Sequence, residues 1–202
     1  LDTKIKEMLS PKKSLNILRK TNALLEGHFV LSSGLHSSKY IQCAKLLSFP
    51  DKAEKICKSL ANKIKKNFTK IDLILAPAIG GIVIGYEIGR ILKKETIFCE
   101  RVKGKFVLRR GFKIKKGSKV LIVEDVITTG KSSMECVKLI KKAKASIIGF
   151  ASIIDRSTKK SLKIKKRIIS HLKIDVPTYK SNSLPSELKL IPITTPGSRF
   201  IK

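Results

Sequence analysis

Hydrophobic residues recur along this chain at two spacings, and the switches between them mark out its elements. From Pro50 onward, Ala53, Ile56, Cys57, Leu60, Ala61 and Ile64 follow the three-and-four spacing of an amphipathic helix with lysines on the opposite face. Before it, Ile5, Leu9, Leu15, Leu18 and Leu25 predict two short helices interrupted near Pro11, and "GHFVLSSGLHSSKYIQCA" predicts strand, turn, strand from His28 to Ala44. After it come an apolar strand from Ile71 to Ala76, a Pro-Ala-Ile-Gly-Gly turn and a helix over Ile82 to Leu92. "ETIFCERV" reads as a strand, "KGKFVLRRGF" as a hairpin and "KVLIVED" as a strand buried on both faces. A helix follows Gly130 as far as Ala143, "SIIGFASIID" is another continuous apolar strand, and the C-terminal part holds one strand followed by Pro- and Ser-rich loops. Continuous apolar strands alternating with helices predict an α/β fold with a mostly parallel central sheet flanked by helices.

Composition narrows the class without changing that picture. The 202 residues suit one domain with a real core, and 42% hydrophobic with 29% charged residues is globular. No apolar run approaches the roughly 18 uncharged residues of a membrane span, so no membrane partner is expected. Leu1 opens a lysine-bearing helical pattern in place of a secretory signal, which predicts a cytoplasmic protein. Cys43, Cys57, Cys99 and Cys136 are scattered and expected to be reduced, and His28, His36 and His171 form no spaced ligand set with them, so no protein-built metal site is expected. The net charge of +29 is spread over lysines on almost every predicted surface. A nucleic-acid binder concentrates its cations on one face, so the diffuse charge is read as compositional bias and no nucleic-acid partner is expected.

Against that basic background, "VLIVEDVITTGKSS" places Glu124 and Asp125 side by side where an apolar strand stops. In open α/β sheets ligands bind beyond the C-terminal strand ends, where turns lead into helix N-termini. Acceptor-only carboxylates there suit the neighbouring hydroxyls of a sugar. Thr128, Thr129, Gly130, Lys131 and Ser132 then supply hydroxyls and consecutive backbone N–H groups at a helix start, which can cradle a phosphate. Helix capping by Asp125 or Thr129 is the plainer use of those residue types, but capping needs one acid, not two. The order of acids first and glycine later also excludes a Walker A loop.

This stretch resembles the phosphoribosyl pyrophosphate (PRPP) motif of type I phosphoribosyltransferases. With "GHFVLSSGLHSSKYI", "APAIGGIVIGYEIGR", "ERVKGKFVLRRGF" and the terminal "DVPTY…PGSR", nearly the whole chain resembles the orotate phosphoribosyltransferase family. The resemblance implies that family's fold, with a small hood formed by N-terminal and C-terminal segments, and Mg²⁺-dependent transfer of phosphoribose from PRPP to orotate in a cytoplasmic homodimer. It places Glu124 and Asp125 on the ribose hydroxyls and Val126, Ile127, Thr128, Thr129, Gly130, Lys131 and Ser132 around the 5′-phosphate. Ala78, Ile79 and Gly80 fall on the pyrophosphate turn, where Gly80 stands in place of a frequent lysine. Arg101, Lys103 and Lys105 fall on the basic loop that covers pyrophosphate, here shorter and without histidine, and all three stay open as the catalytic cation. Arg156 matches an orotate-binding arginine, Thr128 contacts the same base, and Tyr40 and Ile41 correspond to an aromatic pair lining it. Ser32 replaces a frequently basic residue, and His28 and His36 receive no role.

Other readings of the same residues remain. Lys103 and Lys105 also suit a solvated hairpin tip, Arg109 and Arg110 suit charge pairing at a strand edge, and Tyr40 suits a core position. A purine phosphoribosyltransferase would share the acidic pair but not "SSGLHSSKYI". A nucleic-acid-binding regulator on the same fold would need a one-sided basic face.

Overall fold

The structure is a computed structural model that describes residues 8–31, 33–158 and 161–194. Ile5, Ser32 and the Pro196-Gly197-Ser198-Arg199 run lie outside the described residues. So does any helix over the first seven.

Six strands form the central sheet in the order β5-β4-β3-β6-β7-β8. They are β3 (Leu73–Pro77), β4 (Glu95–Val102), β5 (Lys105–Val107), β6 (Lys119–Ile127), β7 (Ser146–Asp155) and β8 (Ile168–Lys173). All neighbours pair in parallel except β4 and β5, which form the antiparallel hairpin that the sequence predicts. Period-two alternation splits the core. Ile74, Leu121 and Val123 face the long helices α3 (Pro50–Asn67) and α4 (Gly80–Leu92), while Leu75, Val120 and Ile122 pack with Cys136 and Ile140 of α5 (Lys131–Lys142) on the other side.

That topology positions the site. From β3 the chain crosses through α4 to β4 at one flank, and from β6 through α5 to β7 at the other. The order therefore reverses between β3 and β6, and a crevice opens beyond their C-terminal ends.

A second sheet of order β10-β1-β2-β9 stands apart from the first and joins N-terminal to C-terminal residues. It contains β1 (Leu24–Val30), β2 (His36–Ile41), β9 (Thr178–Tyr179) and β10 (Ile193–Thr194), with α2 (Cys43–Leu47) leading out of β2. His28 and His36 are buried partners on β1 and β2, not turn residues. His28 Nε2 lies 2.7 Å from His36 Nδ1, and His28 Nδ1 lies 3.1 Å from the Ile191 carbonyl. Since a carbonyl can only accept, His28 donates from Nδ1 and accepts from His36 at Nε2. This chain of bonds ties the C-terminal segment to the hood.

Some expected boundaries move. The break expected near Pro11 is present, and Pro11 itself begins α1 (Pro11–Lys20), because Ser10 caps it by accepting the Lys13 N–H at 3.3 Å and proline at the first helical position loses no bond. α4 starts at Gly80, not Ile82. β6 does not stop at the acids but runs on to Ile127, held by parallel pairing of Val126 with Ile154 and Ile127 with Asp155. The C-terminal part adds β9, β10, a 3₁₀ turn at Ser181–Ser183 and α6 (Ser186–Lys189) to the one strand expected there.

Candidate active site

Because β6 stays extended through the acids, Glu124 and Asp125 point to opposite faces. Glu124 faces α5, is only 8% exposed, and accepts a hydrogen bond from the Ser133 hydroxyl. Asp125 faces α4, where a Cβ added at Gly80 would stand 2.8 Å from its Oδ2. The turn after β3 thus closes onto the acid of β6, and a side chain at Gly80 would displace that carboxylate. The Cys43 thiol at the start of α2 donates weakly to the Asp125 carbonyl at 3.8 Å.

Neither acid is in an ion pair among the described residues. Burial pushes Glu124 up to about 7; the Ser133 hydrogen bond pulls it back, and the neighbouring Asp125 charge adds to the rise. Burial also raises Asp125, opposed by the backbone N–H groups of Val126 and Asp125 itself. A buried and a half-buried carboxylate side by side without a cation are costly in an otherwise stable fold, and such groups concentrate at functional sites.

Past Ile127 the chain turns through Thr128 and Thr129, and Gly130 takes a left-handed φ of 71° to enter α5. Neither Asp125 nor Thr129 caps α5, whose N-cap Gly130 offers no side chain, although Thr129 Oγ1 accepts the Lys131 N–H at 3.3 Å. Glu124 and the seven residues 126–132 line one polar cavity of about 140 Å³. Exposed Lys131 occupies the first turn of α5, where the helix dipole disfavours a cation unless an anion sits there too.

The remaining predicted residues divide into those near this crevice and those held elsewhere. Ala78, Ile79 and Gly80 form the β3–α4 turn, anchored by the Ala78 N–H on the Cys99 carbonyl at 2.8 Å, with a cis Ala78–Ile79 peptide and Ile79 85% exposed. Arg156 follows β7, and its backbone N–H donates to the Ile127 carbonyl at 2.8 Å. Its buried Nε has no partner, burial lowers its pKa, and Tyr40 and Cys43 oppose that shift, which brings hood and sheet together around one guanidinium. Tyr40 is half-buried beside Phe29, with ring centroids 5.7 Å apart, whereas Ile41 is part of the core.

Arg101 is committed within its own chain: it pairs with Glu135 of α5 at 2.8 Å, donates to the Gly104 carbonyl at 2.7 Å and lies over the Phe106 ring at 4.1 Å. Lys103 and Lys105 stand exposed around the hairpin turn, and Arg109 and Arg110 pair with Glu100 at 3.8 and 2.7 Å. Ser133 and Cys43 were missed from sequence. Ser133 carried a faint signal as a serine three residues into a helix whose cap is glycine; Cys43 carried none.

With the geometry in view, the class follows: the Phosphoribosyl transferase domain family matches residues 49–182, a span that contains both the β3–α4 turn and the β6–α5 loop. Over 96% of the chain and 100% of its own length, the orotate phosphoribosyltransferase of Parvibaculum lavamentivorans is 44% identical. The crystal structure of orotate phosphoribosyltransferase from Aeropyrum pernix superposes with a TM-score of 0.69 at 23% identity, covering 79% of this chain and 92% of that one. Adenine phosphoribosyltransferase from Saccharomyces cerevisiae shares the fold at a TM-score of 0.63 and 18% identity, over 78% of this chain and 99% of that one. The fold alone therefore does not choose the base, and the sequence does. The chain belongs to the orotate phosphoribosyltransferase family.

Proposed function

We propose that this enzyme transfers 5-phosphoribose from PRPP to orotate, giving orotidine 5′-phosphate and pyrophosphate for pyrimidine synthesis. The observation that carries the reading is the pair of acids at the rim of β6 without an ion pair among the described residues, of which Glu124 lines a polar cavity with the 126–132 turn while Asp125 faces the β3–α4 turn. Glu124 and Asp125 accept from the ribose hydroxyls, and residues 126–132 hold the 5′-phosphate with backbone N–H groups, hydroxyls and the Lys131 ammonium. A ring nitrogen of orotate then bonds to the anomeric carbon as the carbon–oxygen bond to pyrophosphate breaks. The sugar passes through oxocarbenium character, which the two carboxylates stabilise electrostatically.

The β3–α4 turn meets the leaving pyrophosphate with the backbone N–H groups of Ile79 and Gly80, while the Ala78 N–H, held by the Cys99 carbonyl, fixes the turn in place. Arg101, Lys103 and Lys105 are the cations for its charge; Arg101 has to leave Glu135 to serve there, while the two lysines are already exposed. Orotate lies between hood and sheet, its carboxylate on Arg156, with Thr128, Tyr40 and Ile41 around the ring. The unpartnered Arg156 Nε supports this, as a donor awaiting a planar anion.

A magnesium ion would be held mainly by the donor's own oxygens and water, with the rim carboxylates Glu124 and Asp125 nearby, and would supply charge neutralisation on the leaving group. Ile79, Val83 and Tyr86 form an exposed apolar stripe along the start of α4, which supports a homodimer. The four free cysteines suit the reducing cytoplasm, and the whole activity resides in one phosphoribosyltransferase domain.

The test follows loss of orotate absorbance with PRPP and Mg²⁺, with hypoxanthine and uracil as competitors. Consumption of orotate unaffected by either competitor is expected. Preferential conversion of a purine overturns the substrate assignment.

A further inference from the structure

The α5 helix has no side-chain cap of its own, because Gly130 occupies its N-cap. Ser133, at the third helical position, carries one of the backbone N–H groups that a helix start leaves unpaired. Its hydroxyl donates to Glu124 Oε1, and its backbone N–H faces the same carboxylate. Ser133 is fully buried, and among the described residues no other hydrogen bond engages its hydroxyl. A carboxylate from the preceding strand therefore performs the capping, and the strand tip is fastened to the phosphate loop through one serine.

We propose that Ser133 is a positioning residue for PRPP binding: its hydroxyl holds the Glu124 carboxylate in place at the cavity of the phosphate loop. The proposal rests on the reading that Glu124 accepts from the donor's ribose.

The groups facing Glu124 explain why a serine is needed. On β6, Asp125 repels its charge; on α5, the Cys136 thiol is itself held neutral by burial and by its bond to Cys99 of β4; on β7, Ser152 stands in register beside it. Lys131 of α5 lines the same cavity but forms no ion pair with Glu124, so no cation contacts it among the described residues. Ser133 is the one neutral donor that favours the ionised form, and without it burial and the Asp125 charge both drive the carboxyl toward its protonated state. A protonated carboxyl has one acceptor oxygen fewer to offer a sugar hydroxyl. Ser133 thus extends the site one residue beyond the phosphate loop and sets how far into acid the enzyme can bind its donor.

The experiment compares wild type, Ser133→Ala, Ser133→Thr and Glu124→Gln by two readouts. Infrared titration of the substrate-free enzyme follows the neutral carboxyl band absent from Glu124→Gln. Steady-state kinetics gives KM for PRPP and kcat from pH 5.5 to 9. Ser133→Ala should move the infrared midpoint up by about one unit or more, since hydrogen bonds to charged groups are worth about that much. Its KM for PRPP at pH 7 should rise roughly tenfold, the acid limb of kcat/KM should move by the same shift, and kcat at pH 9 should change less than about twofold. Ser133→Thr should restore both readouts.

An unmoved infrared midpoint, or a PRPP defect of equal size at every pH, overturns the proposal and leaves Ser133 as a helix cap. A moved midpoint with unchanged KM for PRPP also overturns it, and does so by removing Glu124 from the ribose site. If Ser133→Thr does not fold, the Ser133→Ala midpoint and pH profile decide.

Discussion

The rim of β6 and the β4–β5 hairpin flank the same crevice, yet they treat charge in opposite ways. On the hairpin every arginine has an answering acid: Arg101 has Glu135, while Arg109 and Arg110 share Glu100. On the rim, Glu124 and Asp125 are more deeply buried and have no ion pair, and Arg156 beyond them keeps an unsatisfied Nε. Partly exposed pairs like those of the hairpin contribute about 0–1 kcal/mol each and are easily exchanged. Buried uncompensated groups are costly and concentrate at functional sites. The contrast is the reason the rim, and not the hairpin, is proposed as the sugar-binding edge.

The largest effect expected from breaking this contrast is at Asp125. Asp125→Asn should fold normally and lose about a hundredfold or more of its turnover, because the change removes a charge acting on the sugar cation without removing bulk. Equal activity would take Asp125 out of the chemistry. Gly80→Ala comes next: its Cβ would stand 2.9 Å from Asp125 Cγ, so the flexible carboxylate must give way. Activity should fall by roughly tenfold, while the melting temperature holds or rises, since alanine is the better helix former. An unfolded variant would assign the contact to stability.

The hairpin should respond differently. Arg101→Ala lowers kcat by about tenfold if that cation reaches pyrophosphate, whereas Glu135→Ala, which frees Arg101, leaves kcat unchanged or raised and costs less than about 1 kcal/mol of stability by denaturant unfolding. A fall in kcat on removing Glu135 would show that the docked arginine is the working one.

The smallest effect is thermodynamic. Glu124 has a folded pKa of about 7 against an ordinary 4.5, so between those values the folded chain keeps a proton that the unfolded chain has released. Stability from this group is therefore present at low pH and lost as pH rises toward 7, by at most about 3 kcal/mol at about 1.4 kcal/mol per unit. His171 works the other way: burial and the Lys63 charge lower it to about 4, so its contribution is lost as pH falls below 6.5. Urea unfolding of wild type and Glu124→Gln at pH 5 and 8 isolates the Glu124 part by difference; identical pH slopes would contradict it.

The sequence made the central sheet legible because its strands are continuous apolar runs and its helices carry strict lysine-backed stripes. The acids and the phosphate loop were legible for a related reason, as charges breaking such a run. Boundaries failed where tertiary pairing overrode local pattern: β6 passes through two acids because β7 offers it a ladder. The two-residue strands β9 and β10 could not be read at all, since only their partners β2 and β1 make them strands. Tyr40, Cys43 and Arg156 converge from distant parts of the chain, and no local spacing announces their meeting. Ser133 was hidden because its importance lies in what Glu124 lacks.

A crystal structure with PRPP and Mg²⁺ tests the account most directly. It should place the ribose hydroxyls within hydrogen-bond distance of Glu124 and Asp125 and the 5′-phosphate on the backbone of residues 129–132. A sugar bound away from β6, or a phosphate held by the hairpin arginines in place of the α5 N-terminus, would contradict it.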